Sequence, residues 1–223
     1  MAPFAACEET VRRHDPDRYF AALFAPEEKR RHLFALYAFY YELVHAGRAA
    51  QEPMLVQIRL AWWRETLESA RAGKPRDHDV ARALAETLAV HALPEEPFER
   101  MIAARSPPAG PFDDAAAEAH GADTAGALTG LAAHILGAEA DGLAREAGIA
   151  YALAGRSGEV FRSVDTAALA RKHLAAARAM ALPRAGLPAF LPASLVPLYL
   201  KRAAPALWRK QIVYLRAAVL ERI

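Results

Sequence analysis

Apolar residues recur at the spacing of an α-helix along almost the whole chain. Proline, glycine and acidic residues divide the pattern into segments, as at Pro26-Glu27-Glu28, which is typical of a helix start. The predicted helices cover residues 26–47, 52–72, 79–91, 95–105, 112–120, 124–136, 139–155, 165–181 and 205–222. Alternating Val, Ile and Thr runs, which would indicate strands, are missing. We therefore predict an all-α protein with one domain over residues 1–223 and a proline-rich connection over 182–195.

Composition and charge narrow the function classes. The chain has 223 residues, 54% of them hydrophobic, and its 28 basic and 26 acidic residues leave a formal net charge of +2. This balance gives no reason to expect nucleic acid as a partner. The longest apolar run, residues 125–138, is too short to cross a bilayer, and the start lacks a signal-peptide pattern. We expect a cytoplasmic protein without a transmembrane segment, whose contact with a membrane would be peripheral and on its inner face.

Nucleophile and metal motifs are weak in this sequence. The single cysteine, Cys7, has no base partner nearby in the chain, so we interpret it as a small apolar residue. The eight histidines do not follow metal-ligand spacing, and no G-x-S-x-G elbow or phosphate-binding glycine loop is present.

Four phrases in the sequence carry a family resemblance. Residues 15–43, 52–68 (EPMLVQIRLAWWRETLE), 126–137 and 187–202 resemble the squalene/phytoene synthase family, in the same order along most of the chain. The resemblance implies a single-domain isoprenoid-synthase fold, with helices around a central cavity. It also implies, for active members, magnesium-dependent head-to-head condensation of prenyl diphosphates.

The aspartates that this chemistry requires are missing where the resemblance places them. Magnesium neutralises a diphosphate leaving group and prefers oxygen ligands, which the family supplies as aspartates four residues apart on two helices. At the first cluster this chain has Val44, His45 and Arg48, and Glu42 is the only carboxylate on the helix after Phe39.

The second cluster departs from the family pattern as well. Gly155 stands where the family has an asparagine, while Glu159 and Ser163 stand near the two aspartate positions, and the following flap is absent. Such losses resemble one branch of the family, the proteins similar to complex I assembly factor 6. The resemblance implies a catalytically inactive protein with a protein partner in respiratory complex assembly.

Two alternatives stay open at this point. The first is an active magnesium-dependent prenyltransferase in which glutamates such as Glu42, Glu65 and Glu159 replace the aspartates. The second is a non-catalytic carrier that binds a prenyl or lipid ligand. We expect no cofactor, with magnesium required only by the enzyme alternative.

A residual cavity would be lined by side chains from several of these phrases. Glu42 would pair with Arg59 or Arg64, and Trp62 is expected in the core. The candidate cavity residues are Tyr37, Tyr41, Glu42, His45, Trp63, Glu65, Arg105 and Glu159.

The last predicted helix carries an apolar stripe of Trp208, Ile212, Leu215 and Val219. We expect this stripe to pack on the helix's own domain, with a membrane surface or a partner protein as the alternative.

Overall fold

The structure is a computed structural model that describes residues 2–48, 53–106, 113–155, 163–202 and 204–223. Every regular element within these ranges is a helix, which confirms the all-α prediction. The chain forms two compact units, residues 1–107 and 108–223. The expectation of a single domain stays a prediction. None of the described helices is long and apolar enough to cross a membrane.

The first unit is built around one long helix, α3. Its helices are α1 (Pro3–His14), α2 (Pro16–Ala22), α3 (Glu27–Arg48), α4 (Pro53–Arg71), α5 (Asp79–His91) and α6 (Glu96–Ala103). Helix α3 contacts all five of the others. Its side chains Leu33, Leu36, Phe39 and Leu43 are fully buried, and each such burial contributes about 1.5–3 kcal/mol.

The two N-terminal helices were not predicted from periodicity. Helix α1 buries only Cys7 and Val11 among its residues, so its apolar signal is short. Helix α2 begins with a strong local signal: the side chain of Asp15 accepts a hydrogen bond from the backbone N–H of Arg18, and Pro16 occupies the first turn.

The second unit contains α7 (Asp114–Gly121), a π-helical turn (Ala122–Gly126), α8 (Ala127–Ile135), α9 (Asp141–Ala154), α10 (Thr166–Arg178), α11 (Leu187–Phe190), α12 (Val196–Tyr199) and α13 (Leu207–Leu220). Helix α9 packs against the π-helical turn with almost no space between the backbones. A Cβ atom on Gly148 would lie 2.3 Å from both Cα and N of Gly126. Only glycine permits this approach.

The prediction of a proline-rich connection over residues 182–195 is wrong. Residues 184–186 and 191–195 form 3₁₀ turns on either side of α11, and residues 186–196 are buried. Pro188, Pro192 and Pro197 each stand in the first turn of a short helix, where a missing N–H costs nothing. Proline here therefore starts helices instead of interrupting them.

The expected packing of the α13 stripe on its own domain is also wrong. Trp208, Ile212 and Leu215 are 55–57% exposed and Val219 is 80% exposed. The opposite face of the helix buries Tyr214 and Ala217.

Candidate functional site

The second half of α3 presents two faces of different character. At about 100° per residue, positions 37, 41, 44 and 48 share one face. Phe39, Leu43 and Ala46 lie on the opposite face and are buried. Tyr41 and Val44 are half-buried and His45 is exposed. The helix therefore places Tyr37, Tyr41 and Val44 together on one face and places Glu42 and His45 elsewhere around its circumference.

Tyr37 lies beneath a buried arginine. The side chain is 2% exposed, and burial raises the pKa of its phenol, an effect that the nearby Arg18 charge partly opposes. The Arg18 guanidinium is also buried and pairs with Asp15 at 2.7 Å. Its Cζ lies 5.9 Å from the ring centre of Tyr37 and 5.2 Å from that of Tyr40. Tyr37 is therefore a neutral phenol next to a cation.

A second arginine contacts Tyr40. Cζ of Arg105, which follows α6, lies 4.8 Å from the ring centre of Tyr40, within cation–π range. Its Nε and Nη2 atoms are buried and have no hydrogen-bond partner in the described parts of the chain. Leaving such donors unsatisfied is costly, and an anion is the natural acceptor for them. Two guanidinium groups, those of Arg18 and Arg105, therefore lie against Tyr40 beside α3, and that of Arg18 is paired with the Asp15 carboxylate.

Tyr41 and His45 belong to an aromatic stack at the edge of the unit. Tyr41 stacks on His14 with ring centres 4.2 Å apart and on His45 with ring centres 5.8 Å apart. An exposed imidazole, His45, therefore stands near a position where the resemblance implies a carboxylate.

Glu42 turns toward α1 and α5. It lines a pocket of about 410 Å³ together with Thr10, Asp77, Asp79 and Arg82. Asp77 forms an ion pair with Arg82, and an oxygen of Asp79 lies 3.6 Å from the same guanidinium. Three carboxylates thus approach one pocket, but Arg82 binds two of them. Only Glu42 of these three belongs to the glutamates named for the enzyme alternative, which were Glu42, Glu65 and Glu159.

The buried thiol beside this pocket is inert. Cys7 is fully buried, and burial, together with the charges of Asp79 and Glu42, raises its pKa to about 12. A thiol of that pKa is protonated at neutral pH and is a poor nucleophile. This confirms the interpretation of Cys7 as a small apolar residue.

The tryptophan block of α4 is structural in its contacts. Trp63 is 4% exposed and packs edge-to-face on Phe39 at 5.3 Å between ring centres. The core position is therefore Trp63, while Trp62 is only half-buried, so the prediction for Trp62 was one residue out of register. Glu65 is exposed and forms an ion pair with Arg76.

The expected partner of Glu42 is bound elsewhere. Both the Nε and Nη2 atoms of Arg64 lie 2.8 Å from Oε1 of Glu99 on α6, so Arg64 is not the partner of Glu42. Arg59, the other candidate, is exposed.

The structure describes only part of the second cluster. Helix α9 ends at Ala154, and Glu159 lies outside the described residues, as do all positions from 156 to 162. The assignment of Glu159 to a cavity therefore stays a prediction. Among the described residues no group of three or more His, Cys, Asp or Glu side chains could hold a metal ion.

Sequence reasoning missed a polar cluster in the second unit. His173 on α10 is 4% exposed, with Nδ1 2.6 Å from an oxygen of Glu146 on α9 and Nε2 3.0 Å from one of Glu118 on α7. Hydrogen bonds from Lys172 and His173 lower the pKa of the Glu118 carboxyl. The four residues come from three helices, and no sequence spacing connects them.

The residues of α3 differ from the family's magnesium-binding pattern. The resemblance places carboxylates near positions 44, 45 and 48, and the chain has valine, histidine and arginine there, none of which supplies the carboxylate oxygens that magnesium prefers. The residues of the first cluster therefore do not fit magnesium.

Comparison with known proteins agrees with the family resemblance. The squalene/phytoene synthase family model matches residues 11–160. The chain is 28% identical over 96 residues to NADH dehydrogenase (ubiquinone) complex I, assembly factor 6 from Homo sapiens, covering 43% of this chain and 29% of that protein. It is 34% identical over 102 residues to 15-cis-phytoene synthase from Synechococcus elongatus, covering 44% of this chain and 32% of that protein. The matches thus span about a third of these relatives' length.

A solved structure confirms the fold. A crystal structure of a dehydrosqualene synthase superimposes with a TM-score of 0.74 at 15% identity, covering 98% of this chain and 96% of the other. The described helices therefore form the predicted isoprenoid-synthase fold.

Proposed function

Because the chain belongs to the squalene/phytoene synthase family, we propose that it is a member without prenyltransferase activity that acts as an assembly or interaction factor. The observation that carries this proposal is the replacement of the first carboxylate cluster by Val44, His45 and Arg48 on α3. Ionisation of a prenyl diphosphate needs metal ions that neutralise the leaving group. A helix face without carboxylates gives such ions no ligands.

The surrounding charges support the same proposal. The buried Arg18 and the half-buried Arg105 both lie against Tyr40, which borders the face where the carboxylates would be. A divalent cation placed here would be repelled by the Arg105 guanidinium, whereas the charge of Arg18 is offset by its ion pair with Asp15. Of the glutamates offered as substitutes, Glu42 lines a separate pocket and Glu65 is exposed on its ion pair with Arg76.

Respiratory complex I is the proposed assembly target. Support comes from the human relative, whose name describes a complex I assembly factor. The partner would be a protein of that complex, and the site of action would be the cytoplasm, peripheral to the inner face of the membrane. No cofactor is required for such a role.

Turnover is the direct test. The purified chain is incubated with farnesyl or geranylgeranyl diphosphate and magnesium, with an active phytoene synthase as the control, and the lipid products are analysed. We expect no condensation product and no release of pyrophosphate above background. Magnesium-dependent product formation would overturn the proposal of inactivity. Affinity capture from the native cell, in which complex I subunits are expected, tests the assembly role separately.

A second candidate function has its own observation. The buried Nε and Nη2 atoms of Arg105 lack hydrogen-bond partners, which favours a bound anionic group such as the diphosphate of a prenyl ligand. In this function the chain is a carrier that holds the ligand through arginine and does not ionise it.

Calorimetry separates the carrier from the enzyme. Binding of farnesyl diphosphate is measured with magnesium and with a chelator, on the unmodified chain and on Arg105→Gln. A carrier binds equally in both conditions and weakens about tenfold or more in Arg105→Gln, because a charged hydrogen bond is lost. Absence of binding removes the carrier and leaves the assembly role.

A further inference from the structure

The apolar stripe of α13 is exposed along most of the helix. Trp208, Ile212, Leu215 and Val219 fall within about 60° of one another around the helix axis. The stripe runs for about 17 Å along the axis at 1.5 Å per residue. All four side chains are more than half exposed. Large exposed apolar stripes of this kind mark surfaces that bind something.

The opposite face holds the helix firmly against the second unit. Tyr214 is 1% exposed and Ala217 is 6% exposed. Below the helix, Nε of Arg178 donates to the carbonyl of Ile223 at 2.7 Å, and Arg184 pairs with Glu221 at 2.8 Å. The stripe is therefore presented by a helix that is already folded, so a binding partner need not order it.

The charges on α13 have one sign. The helix carries Arg209, Lys210 and Arg216 and no acidic residue. Arg209 and Arg216 lie on one flank, about 70–90° from the centre of the stripe, and the Arg209 guanidinium sits 5.1 Å from the Trp208 ring centre. Lys210 is on the far side, where it donates to the hydroxyl of Tyr199 at 2.7 Å.

We propose that α13 is an interfacial helix that lies on the surface of an anionic lipid bilayer. Its apolar stripe would enter the acyl boundary, while Arg209 and Arg216 reach the phosphate level along one edge. Tryptophan is favoured at this depth because its ring has an apolar body and a polar N–H. The all-basic flank selects lipid over a protein groove, since an anionic surface offers countercharge along the full length of the helix.

This inference rests on the proposed peripheral location of the protein. It does not depend on the proposed loss of catalysis. A chain that turns over prenyl diphosphates and binds vesicles would overturn only the inactivity. A chain that does neither would overturn only the lipid surface.

Vesicle binding tests the proposal with a reporter already in place. The other two tryptophans are buried or half-buried, so a blue shift of fluorescence on adding vesicles would come from Trp208. Co-sedimentation is measured with phosphatidylcholine vesicles and with vesicles containing about one third phosphatidylglycerol. With the anionic vesicles we expect the unmodified chain to co-sediment and its fluorescence to shift to the blue. Trp208→Tyr should still co-sediment but should show no blue shift.

Paired substitutions separate the apolar contribution to vesicle binding from the charged contribution. Ile212→Gln with Leu215→Gln should reduce partitioning on the order of thirtyfold, because two half-exposed aliphatic side chains no longer enter the acyl boundary. Arg209→Gln with Arg216→Gln should reduce it about twentyfold on anionic vesicles and little on neutral ones. The matched control is Val90→Gln with Met180→Gln, which replaces two exposed apolar residues off α13 and should bind like the unmodified chain.

Three outcomes would overturn the proposal. They are no sedimentation with anionic vesicles, equal loss of binding in the control pair, and a dimer of the unmodified chain that the Ile212 and Leu215 substitutions dissociate. In the last case a second copy of the chain would cover the stripe. Circular dichroism of each variant verifies that α13 and the rest of the fold are intact.

Discussion

A buried imidazole in the first unit should make the stability of the protein fall in mild acid. His32 on α3 is 2% exposed, and its Nδ1 lies 3.0 Å from the hydroxyl oxygen of Thr87. That hydroxyl donates its own hydrogen to the carbonyl of Ala83 at 2.8 Å, so it accepts from His32. Burial, with further contributions from His91 and Arg31, lowers the pKa of His32 to about 4. The folded protein therefore holds this imidazole neutral.

The sign and size of the effect follow from linkage. An unfolded histidine titrates near pH 6.5, so between about pH 6.5 and pH 4 the unfolded chain binds a proton that the folded chain does not. Stability from this group is complete above pH 7.5 and is lost as the pH falls. From the two pKa values, lowering the pH from 8 to 5 costs about 2 kcal/mol of unfolding free energy at His32 alone.

The assay compares urea unfolding at pH 8 and pH 5 for the unmodified protein and His32→Gln. A Trp208→Phe background leaves Trp62 and Trp63 as the fluorophores, so fluorescence reports on the first unit. Glutamine can still donate to Thr87 but does not titrate, so the loss of stability between the two pH values should shrink by about 2 kcal/mol.

The control is the exposed histidine of the same helix, His45→Gln, which should leave the pH dependence unchanged. Equal slopes for the unmodified protein and His32→Gln would refute the reasoning, because a neutral buried imidazole cannot be replaced without changing proton uptake on unfolding.

Two further predictions concern the second unit. Gly148→Ala should lower the free energy of unfolding, measured with urea, by at least about 2 kcal/mol, because the new Cβ would meet the backbone of Gly126. Gly130→Ala should raise it by about 0.5–1 kcal/mol, because the nearest atom to the new Cβ lies 3.7 Å away and alanine favours a helix. Glu118→Gln should lower the unfolding free energy at pH 7 by about 1–3 kcal/mol, because a charged acceptor of His173 is lost. The pKa of Glu118 is lowered in the folded state, so its contribution to stability is present above about pH 4.3 and disappears as the pH falls below that value. Equal stability of the unmodified protein and Glu118→Gln at pH 7 would contradict this prediction.

Long helices with a repeated apolar pattern could be predicted from the sequence, whereas several short helices with proline in the first turn were not. The predicted helix at 79–91 has the observed bounds, and α3 differs by one residue at each end. The error at 182–195 arose because proline was interpreted as a breaker, although Pro188 and Pro192 stand in first helical turns and Pro183 directly precedes one. Helix α1 was missed because two buried side chains are too few to produce a periodic signal.

The candidate site was predictable only where one helix carries it. The common face of Tyr37, Tyr41 and Val44 follows from helical spacing. The approach of Arg18 and Arg105 to Tyr40 could not be predicted, because it joins α2, α3 and the residue after α6. The exposure of the α13 stripe was mispredicted for a related reason: amphipathicity shows that a helix has an apolar face but not which neighbour covers it.

The structure also relates the packing of α3 to the positions where the family resemblance places metal ligands. In the second half of α3 the packing energy comes from Phe39, Leu43 and Ala46, which lie opposite positions 44 and 48. Carboxylates on the other face contribute nothing to that packing, and without metal they repel each other. Valine, histidine and arginine at positions 44, 45 and 48 are therefore compatible with the same buried residues. The packed face of α3 and the positions where the resemblance places metal ligands therefore lie on different sides of the helix, so the residue types at those positions can differ without altering the packed face.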